Sequence, residues 1–348
     1  MALAAPALED PPARGGRLVS ARRPERVLVR APNWIGDVVL SLGALRDLAR
    51  NFSEARLAVL ARPWVADLYR AVPEVGEVLE SRGTRQDAGI LRGRFDVGLL
   101  LPNSFASALA LALARVPERW GYATDGRRLL LTRAARVSPQ IRGRSQVYYY
   151  RAMLAGVGLE VSADPDVSLA CPSEWRASAA TLLDPASRWI GLNPGAAFGS
   201  AKRWLPERYA EAGERLARER GASLAILGSA AERPLGEEIA SRVQVPARVL
   251  CGETSLPQLV GVLAQLELLL TNDSGPMHLA AAVGTPLVAI FGPTDATETA
   301  PVGRHVLVRE PVHCSPCLLR ECPIDHRCMT RVTTARVVDA AHELDARA

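Results

Sequence analysis

The chain repeats one pattern along most of its length: a short apolar run, a turn marked by Gly, Pro or Asn, then a stretch with helical apolar spacing. Arg26-Val27-Leu28-Val29 predicts a strand over 26–29, a Pro/Asn/Gly turn follows, and the next apolar periodicity predicts a helix over 38–48. Strands over 57–60 and 95–101 and helices over 63–72 and 104–114 continue the series, the helix at 63 opening on a proline. A less regular middle intervenes. The pattern then restarts with strands over 189–192, 223–227, 267–271 and 287–291, and helices over 206–220, 232–241, 256–265 and 275–283. Runs that are apolar on both faces need cover on both faces, which a parallel sheet between helices supplies. The expectation is an α/β chain of two Rossmann-like domains facing a central cleft. The halves, 26–170 and 171–348, meet near 165–185, where Asp164-Pro165 and Cys171-Pro172 mark a linker. Ligands of such open sheets bind beyond the carboxyl ends of the strands, so the loops there are the place to look for chemistry.

Composition fits this frame. Across 348 residues, 48% are hydrophobic and 23% charged, enough for two cores and incompatible with general disorder. Aromatics at 5% are too sparse for a single-strand nucleic-acid stacking platform. The 42 Lys and Arg against 37 Asp and Glu are spread along the chain, which argues against duplex binding and leaves room for a basic face toward a phosphate-rich substrate or an anionic membrane. Lys202 is the single lysine among those cations, which marks a position where a compact ammonium differs from a guanidinium. No apolar stretch reaches the roughly 20 residues of a membrane span. Residues 1–25 lack the apolar core of a secretory signal and read as a disordered lead or a mis-set start. Six cysteines do not suggest a secreted disulfide scaffold, and the expected compartment is the cytoplasm.

Four loops at predicted strand ends carry polar clusters. Pro32-Asn33-Trp34-Ile35-Gly36-Asp37 places a carboxylate at the start of a helix, where it serves as an N-cap or as a general base aimed into the cleft. The loop from Asn193 through Gly195 to Lys202-Arg203-Trp204 suits a phosphate, with backbone amides and one point charge, although it lacks the Walker order. Thr271-Asn272-Asp273-Ser274-Gly275-Pro276-Met277-His278 exposes amides at a positive helix end, with His278 one turn inside. In Gly228-Ser229-Ala230-Ala231-Glu232, the glutamate accepts ribose hydroxyls or caps a helix. A fifth cluster stands apart: Cys314, Cys317, Cys322 and Cys328, in C-x2-C-x4-C-x5-C order within residues 313–328. Zinc or an iron–sulfur cluster would use such a donor set, but the spacing fits no standard finger, and a thiol-rich loop without metal is the competing reading. Cys171 and Cys251 lie apart and read as packed cysteines.

In this order, APNWIGDVVLS, LLLPNSFASAL, GLNPGAAFGSAKRW, LGSAAE, CGETSL and TNDSGPMHLAAAVGTPLVAIFGPT resemble the ADP-heptose:lipopolysaccharide heptosyltransferases of glycosyltransferase family 9, nearest the heptosyltransferase II branch. The resemblance runs from about Val27 to Pro293 and implies the GT-B arrangement of two Rossmann-like domains. It implies an inverting transfer of L-glycero-D-manno-heptose from ADP-heptose to heptosyl-Kdo-lipid A, without a required cofactor or metal. Asp37 matches the proposed base, Lys202 the phosphate-binding lysine, and Asp273 the aspartate near the donor heptose. Ser274, Gly275 and His278 match the diphosphate loop, Glu232 with Ser229 the ribose site, Thr254 the adenine site, and Asn193 and Gly195 the donor loop. The acceptor falls to the first half, with Trp34, Arg62, Asn103, Ser104, Arg119, Arg127, Arg128, Arg142 and Arg144 as candidates, arginine forks being suited to acidic core sugars. The same resemblance implies a monomer in peripheral contact with the cytoplasmic face of the inner membrane and no nucleic-acid partner. Two alternatives stay open: a family member using another ADP-sugar or acceptor, and a non-catalytic nucleotide-sugar-binding module, which would have no need of a carboxylate at 37.

Overall fold

The computed structural model describes residues 24–141 and 143–347; most of the expected N-terminal lead, and Arg142, lie outside the described residues. Six parallel strands, β1 (Arg26–Arg30), β2 (Arg56–Ala61), β3 (Glu77–Glu80), β4 (Val97–Leu100), β5 (Glu118–Tyr122) and β6 (Arg133–Ala135), form the first sheet in the order β3-β2-β1-β4-β5-β6. Helices α1 (Ile35–Asn51), α2 (Pro63–Arg70), α3 (Thr84–Leu91), α4 (Phe105–Leu113) and α5 (Gln146–Gly156) cover it. Val27, Leu28 and Val29 of β1 are fully buried, as the two-faced apolar run requires.

The second sheet repeats the topology. Helix α6 (Ser173–Ala179) precedes β7 (Trp189–Asn193), and α7 (Pro206–Arg220), β8 (Ser223–Ile226), α8 (Arg233–Ser241), β9 (Ala247–Val249) and α9 (Leu256–Leu263) follow. Then come β10 (Leu268–Asn272), α10 (Gly275–Ala282), β11 (Leu287–Phe291), α11 (Ala296–Thr299), β12 (His305–Arg309), α12 (Arg327–Thr330) and α13 (Thr334–Ala346). The strand order β12-β11-β10-β7-β8-β9 is again wholly parallel. In both sheets the order reverses beside the first strand, between β1 and β4 and between β7 and β10, and crevices open at such switch points.

Local chemistry sets the element ends. Helix α7 begins on Pro206, whose missing amide hydrogen costs nothing in the first turn, and stops at Gly221 in the left-handed region. Ser255 and Gln258 form a reciprocal capping box at the start of α9. The chain crosses between the sheets through residues 157–172. Arg46 of α1 donates to the carbonyls of Asp166 and Ser168 at 2.7 Å each, and Leu169 donates to Ala282 at 2.8 Å. Beneath this crossing the buried Asp47 carboxylate accepts from Arg151 Nε at 2.8 Å and from the Ser162 amide at 3.0 Å, tying α1 to α5 and the crossing segment. A buried pair of this kind is costly to break from one side, so it fixes the path.

The pattern reading anticipated α1, α7 and the central strands but not the helices α5 and α13, nor β3, β5, β6, β9 or β12. Glu118-Arg119-Trp120-Gly121-Tyr122 carries no apolar run, and β6 and β9 have three residues each. Pairing with an existing strand, rather than intrinsic pattern, places such strands.

Candidate active site

The carboxyl ends of both sheets face one cleft of about 680 Å³. It is lined from the first sheet's side by Trp34, Gly36, Asp37 and Trp64, and from the second's by Asn193, Gly195, Lys202, Ser229, Glu232, Thr254, Asp273, Ser274, Gly275 and His278. Residues more than 200 positions apart in sequence therefore share a wall. The two sides touch through small residues. A β-carbon on Gly36 would meet His278 Cδ2 at 2.9 Å, and one on Gly275 would meet Ile35 Cβ at 3.0 Å, so both glycines permit the approach of α1 to α10.

Asp37 is the third residue of α1, and Trp34 occupies the N-cap, which removes the capping explanation for the carboxylate. Its Oδ1 accepts from the hydroxyl of buried Tyr150 at 3.2 Å. Burial raises the Asp37 carboxyl above the usual carboxylate range, with the Tyr150 hydrogen bond opposing. A raised carboxyl at the cleft wall has the property a general base needs.

On the facing wall, Lys202 Nζ sits 2.6 Å from Asp273 Oδ2 and 4.9 Å from the centroid of Phe198. The same Asp273 oxygen accepts from Thr294 at 2.7 Å and from Thr299 at 3.4 Å. Two asparagines lock the loops that carry these groups. Asn193 donates to Thr271 Oγ1 at 3.0 Å and to Ser274 Oγ at 2.9 Å, and Asn272 donates to the Pro194 carbonyl at 2.7 Å while accepting from the Trp204 amide at 3.1 Å. The start of α10 is left with no side-chain cap, so its first amides stay open to an anion. His278 is fully buried one turn in. Burial lowers its pKa from 6.5 to about 4, so the ring is neutral at pH 7, and its Nδ1 has no partner.

Glu232 caps rather than floats: its Oε2 accepts from the amide and hydroxyl of Ser229 at 2.8 Å each. Its Oε1 points at Gly195, where any side chain would collide with it. The capping reading of Glu232 therefore holds, while its second oxygen lies in the cleft wall 3.7 Å from Arg203 Nη2.

The acceptor candidates fare differently. Trp34 lines the cleft at 69% exposure, and Arg128 is exposed. Arg62 and Arg144 lie over Trp64 and Tyr148 at 5.7 and 5.4 Å. Ser104 caps α4 by accepting from Ser107, and Asn103 donates to Tyr149 Oη at 2.6 Å. Arg127 departs from the expectation. Its guanidinium is wholly buried and donates to the backbone carbonyls of Tyr122 and Pro102 and to Asn103 Oδ1, so it holds the β4 and β5 loops together and has no face for an acceptor. Arg119 likewise spends its donors on the carbonyls of Leu130, Val116 and Pro117. Arg142 lies outside the described residues.

The cysteine segment is not remote from this site. His326 Nε2 lies 2.7 Å from the Ala201 carbonyl, and the Ala201 amide donates to the Arg320 carbonyl at 2.9 Å. Burial first, then the nearby thiols of Cys314, Cys322 and Cys317, push the Cys328 thiol up to about 11. Among the described residues, however, no three Cys, His, Asp or Glu side chains converge as a metal-holding group. Cys251 is buried and Cys171 half-buried, both unbridged.

A family model described as glycosyltransferase family 9 (heptosyltransferase) matches residues 86–327. The chain belongs to that family. It is 34% identical over 313 residues to the lipopolysaccharide heptosyltransferase 2 of Salmonella typhimurium, covering 81% of this chain and 87% of that one. It is 32% identical over 305 residues to the enzyme of the same name from Escherichia coli, covering 81% and 87%. Among solved structures, Escherichia coli ADP-heptose lps heptosyltransferase II superposes with a TM-score of 0.80 at 28% identity, over 92% of this chain and 99% of that one. The two parallel sheets of this glycosyltransferase are thus the GT-B arrangement.

Phe198, Thr299 and Arg320 are among the cleft-wall residues that escaped the sequence reading, as did Tyr150, which is not in the wall but bonds Asp37. Tyr150 stands 113 positions from Asp37 within a run of three tyrosines, and nothing in that run singles it out. Phe198 lay inside a quoted motif and carried a signal, an aromatic four residues before the sole lysine.

Proposed function

We propose that this chain transfers a heptose from ADP-heptose to the heptosyl-Kdo-lipid A inner core of lipopolysaccharide, inverting the anomeric centre and needing no metal. The observation that carries the reading is the juxtaposition of Asp37 with the Lys202–Asp273 pair across one cleft. The names of the relatives supply the donor and acceptor classes. The open amides of α10 and the Lys202 ammonium suit the donor's diphosphate, and Thr254 lines the wall where a base would lie. Asp37 accepts the proton of the acceptor hydroxyl as its oxygen attacks the anomeric carbon. The bond from that carbon to the phosphate oxygen breaks, and its electron pair leaves with ADP, stabilised by the cations opposite. In this proposal attack comes from the Asp37 side and the nucleotide departs toward Lys202, from the opposite face of the sugar, which inverts the anomeric centre.

A monomer working in peripheral contact with the cytoplasmic face of the inner membrane belongs to the same proposal. No helix among the described residues is long and apolar enough to cross a membrane. The test is turnover of ADP-heptose with a defined heptosyl-Kdo-lipid A acceptor in excess chelator, with the product's anomeric configuration read by NMR. We expect an inverted product at undiminished rate. Turnover only with another ADP-sugar would favour the first alternative, and donor binding without turnover the second.

A further inference from the structure

We infer that Arg320, carried into the cleft by the cysteine segment, is a diphosphate-binding residue for the donor and takes up the charge of the departing nucleotide. The inference rests on the donor class proposed above. The charged side chains lining the cleft are Asp37, Glu232 and Asp273 against Lys202 and Arg320. Lys202 is already committed to Asp273 at 2.6 Å. Arg320 has no carboxylate partner among the described residues, so it is the cleft's uncommitted cation. A diphosphate brings further negative charge into a wall that already carries more carboxylates than cations. Its charge grows as the glycosidic electron pair arrives, and Arg320 is the group free to meet it.

The backbone holds Arg320 at this post. Its carbonyl accepts from the Ala201 amide at 2.9 Å, one residue before Lys202. Gly199 faces that carbonyl so closely that any side chain there would collide with it. The guanidinium carbon lies 5.5 Å from the Phe198 centroid, the ring that also receives Lys202 at 4.9 Å. One aromatic ring thus orients both cations. Behind them the segment is pinned by Cys317 and Leu318, which donate to the Pro293 carbonyl at 3.0 and 2.9 Å, and by Ser315, which donates to Gly292 at 2.6 Å.

The experiment measures binding of ADP and of adenosine by calorimetry, together with kcat, for the wild-type chain, Arg320→Gln and Arg320→Lys. The Gln variant should weaken ADP about tenfold, leave adenosine unchanged and lower kcat, while the Lys variant recovers part of both losses. Wild-type ADP affinity and kcat in the Gln variant would overturn the role of Arg320 and leave the proposed function standing. An equal loss of adenosine affinity would also overturn it, since that would mark collapse of the loop rather than loss of a phosphate contact. A wild-type chain that binds no ADP would overturn the donor assignment itself.

Discussion

Asp37 and Tyr150 make the residue-scale case most sharply. A carboxyl raised by burial must lose its proton before it can accept another, so kcat/KM should climb with pH through a limb above the ordinary aspartate value of 3.8. The Tyr150 hydroxyl stabilises the charged form. Tyr150→Phe should therefore move that limb to higher pH while leaving the rate on the plateau within a few-fold. Superimposable profiles would show that the hydroxyl does not tune the carboxyl. Asp37→Asn should cut kcat about 100-fold or more and leave ADP affinity unchanged, because the donor wall lies on the other sheet. A variant of unimpaired kcat would remove the base assignment.

Among the elements, the segment between β12 and α13 is the one whose role changes with the structure. Its thiols left a metal and a metal-free loop both open, and its contacts brace the donor loop through Ala201 and the turn after β11 through Gly292 and Pro293. Gly199→Ala would drive a β-carbon into the Arg320 carbonyl, and relief requires the two loops to part. We expect a lower Tm and an ADP affinity reduced several-fold, with Gly221→Asn as a control for glycine replacement at a position with open space. Unchanged ADP affinity in Gly199→Ala would show that the two loops are not coupled. Since the donor set is not convergent, protein purified without a tag under reducing conditions should carry far less than one equivalent of zinc or iron, and its Tm should ignore chelator. A full equivalent would mean that the thiols regroup around an ion.

At the scale of the molecule, the two units meet where His278 packs on Gly36, and that contact gives stability a pH dependence. The folded pKa near 4 lies below the unfolded value of 6.5, so the unfolded chain binds the proton more readily between them. This contribution is complete above about pH 6.5, declines as pH falls, and is lost below about 4, amounting to about 3 kcal/mol in all. Urea titrations from pH 7.5 to 4.5 should show His278→Gln with a flatter decline than the wild type. Parallel declines would assign the acid sensitivity elsewhere.

How much of this was legible in the chain follows from the range of the forces involved. Apolar periodicity, prolines and helix-stopping glycines act over a few residues, and they determined the central strands β1, β4, β7, β10 and β11, the helices α1, α2, α4 and α7 to α10, and the doubled α/β architecture. The strand-end loops were legible for the same reason, since a parallel sheet sends its polar turns to one side; that is how Asp37, Lys202 and Asp273 stood out. Three-residue edge strands carry too little pattern to be seen alone, and only pairing placed them. The tertiary structure also decided what each charge is for. Arg127 and Arg320 are the same residue type in similarly polar loops. One is sealed among backbone carbonyls and the other is left open in the cleft, because burial and partner geometry are set by neighbours distant in the chain. Sequence named the groups that carry charge, and packing across distant segments decided which of them are free to use it.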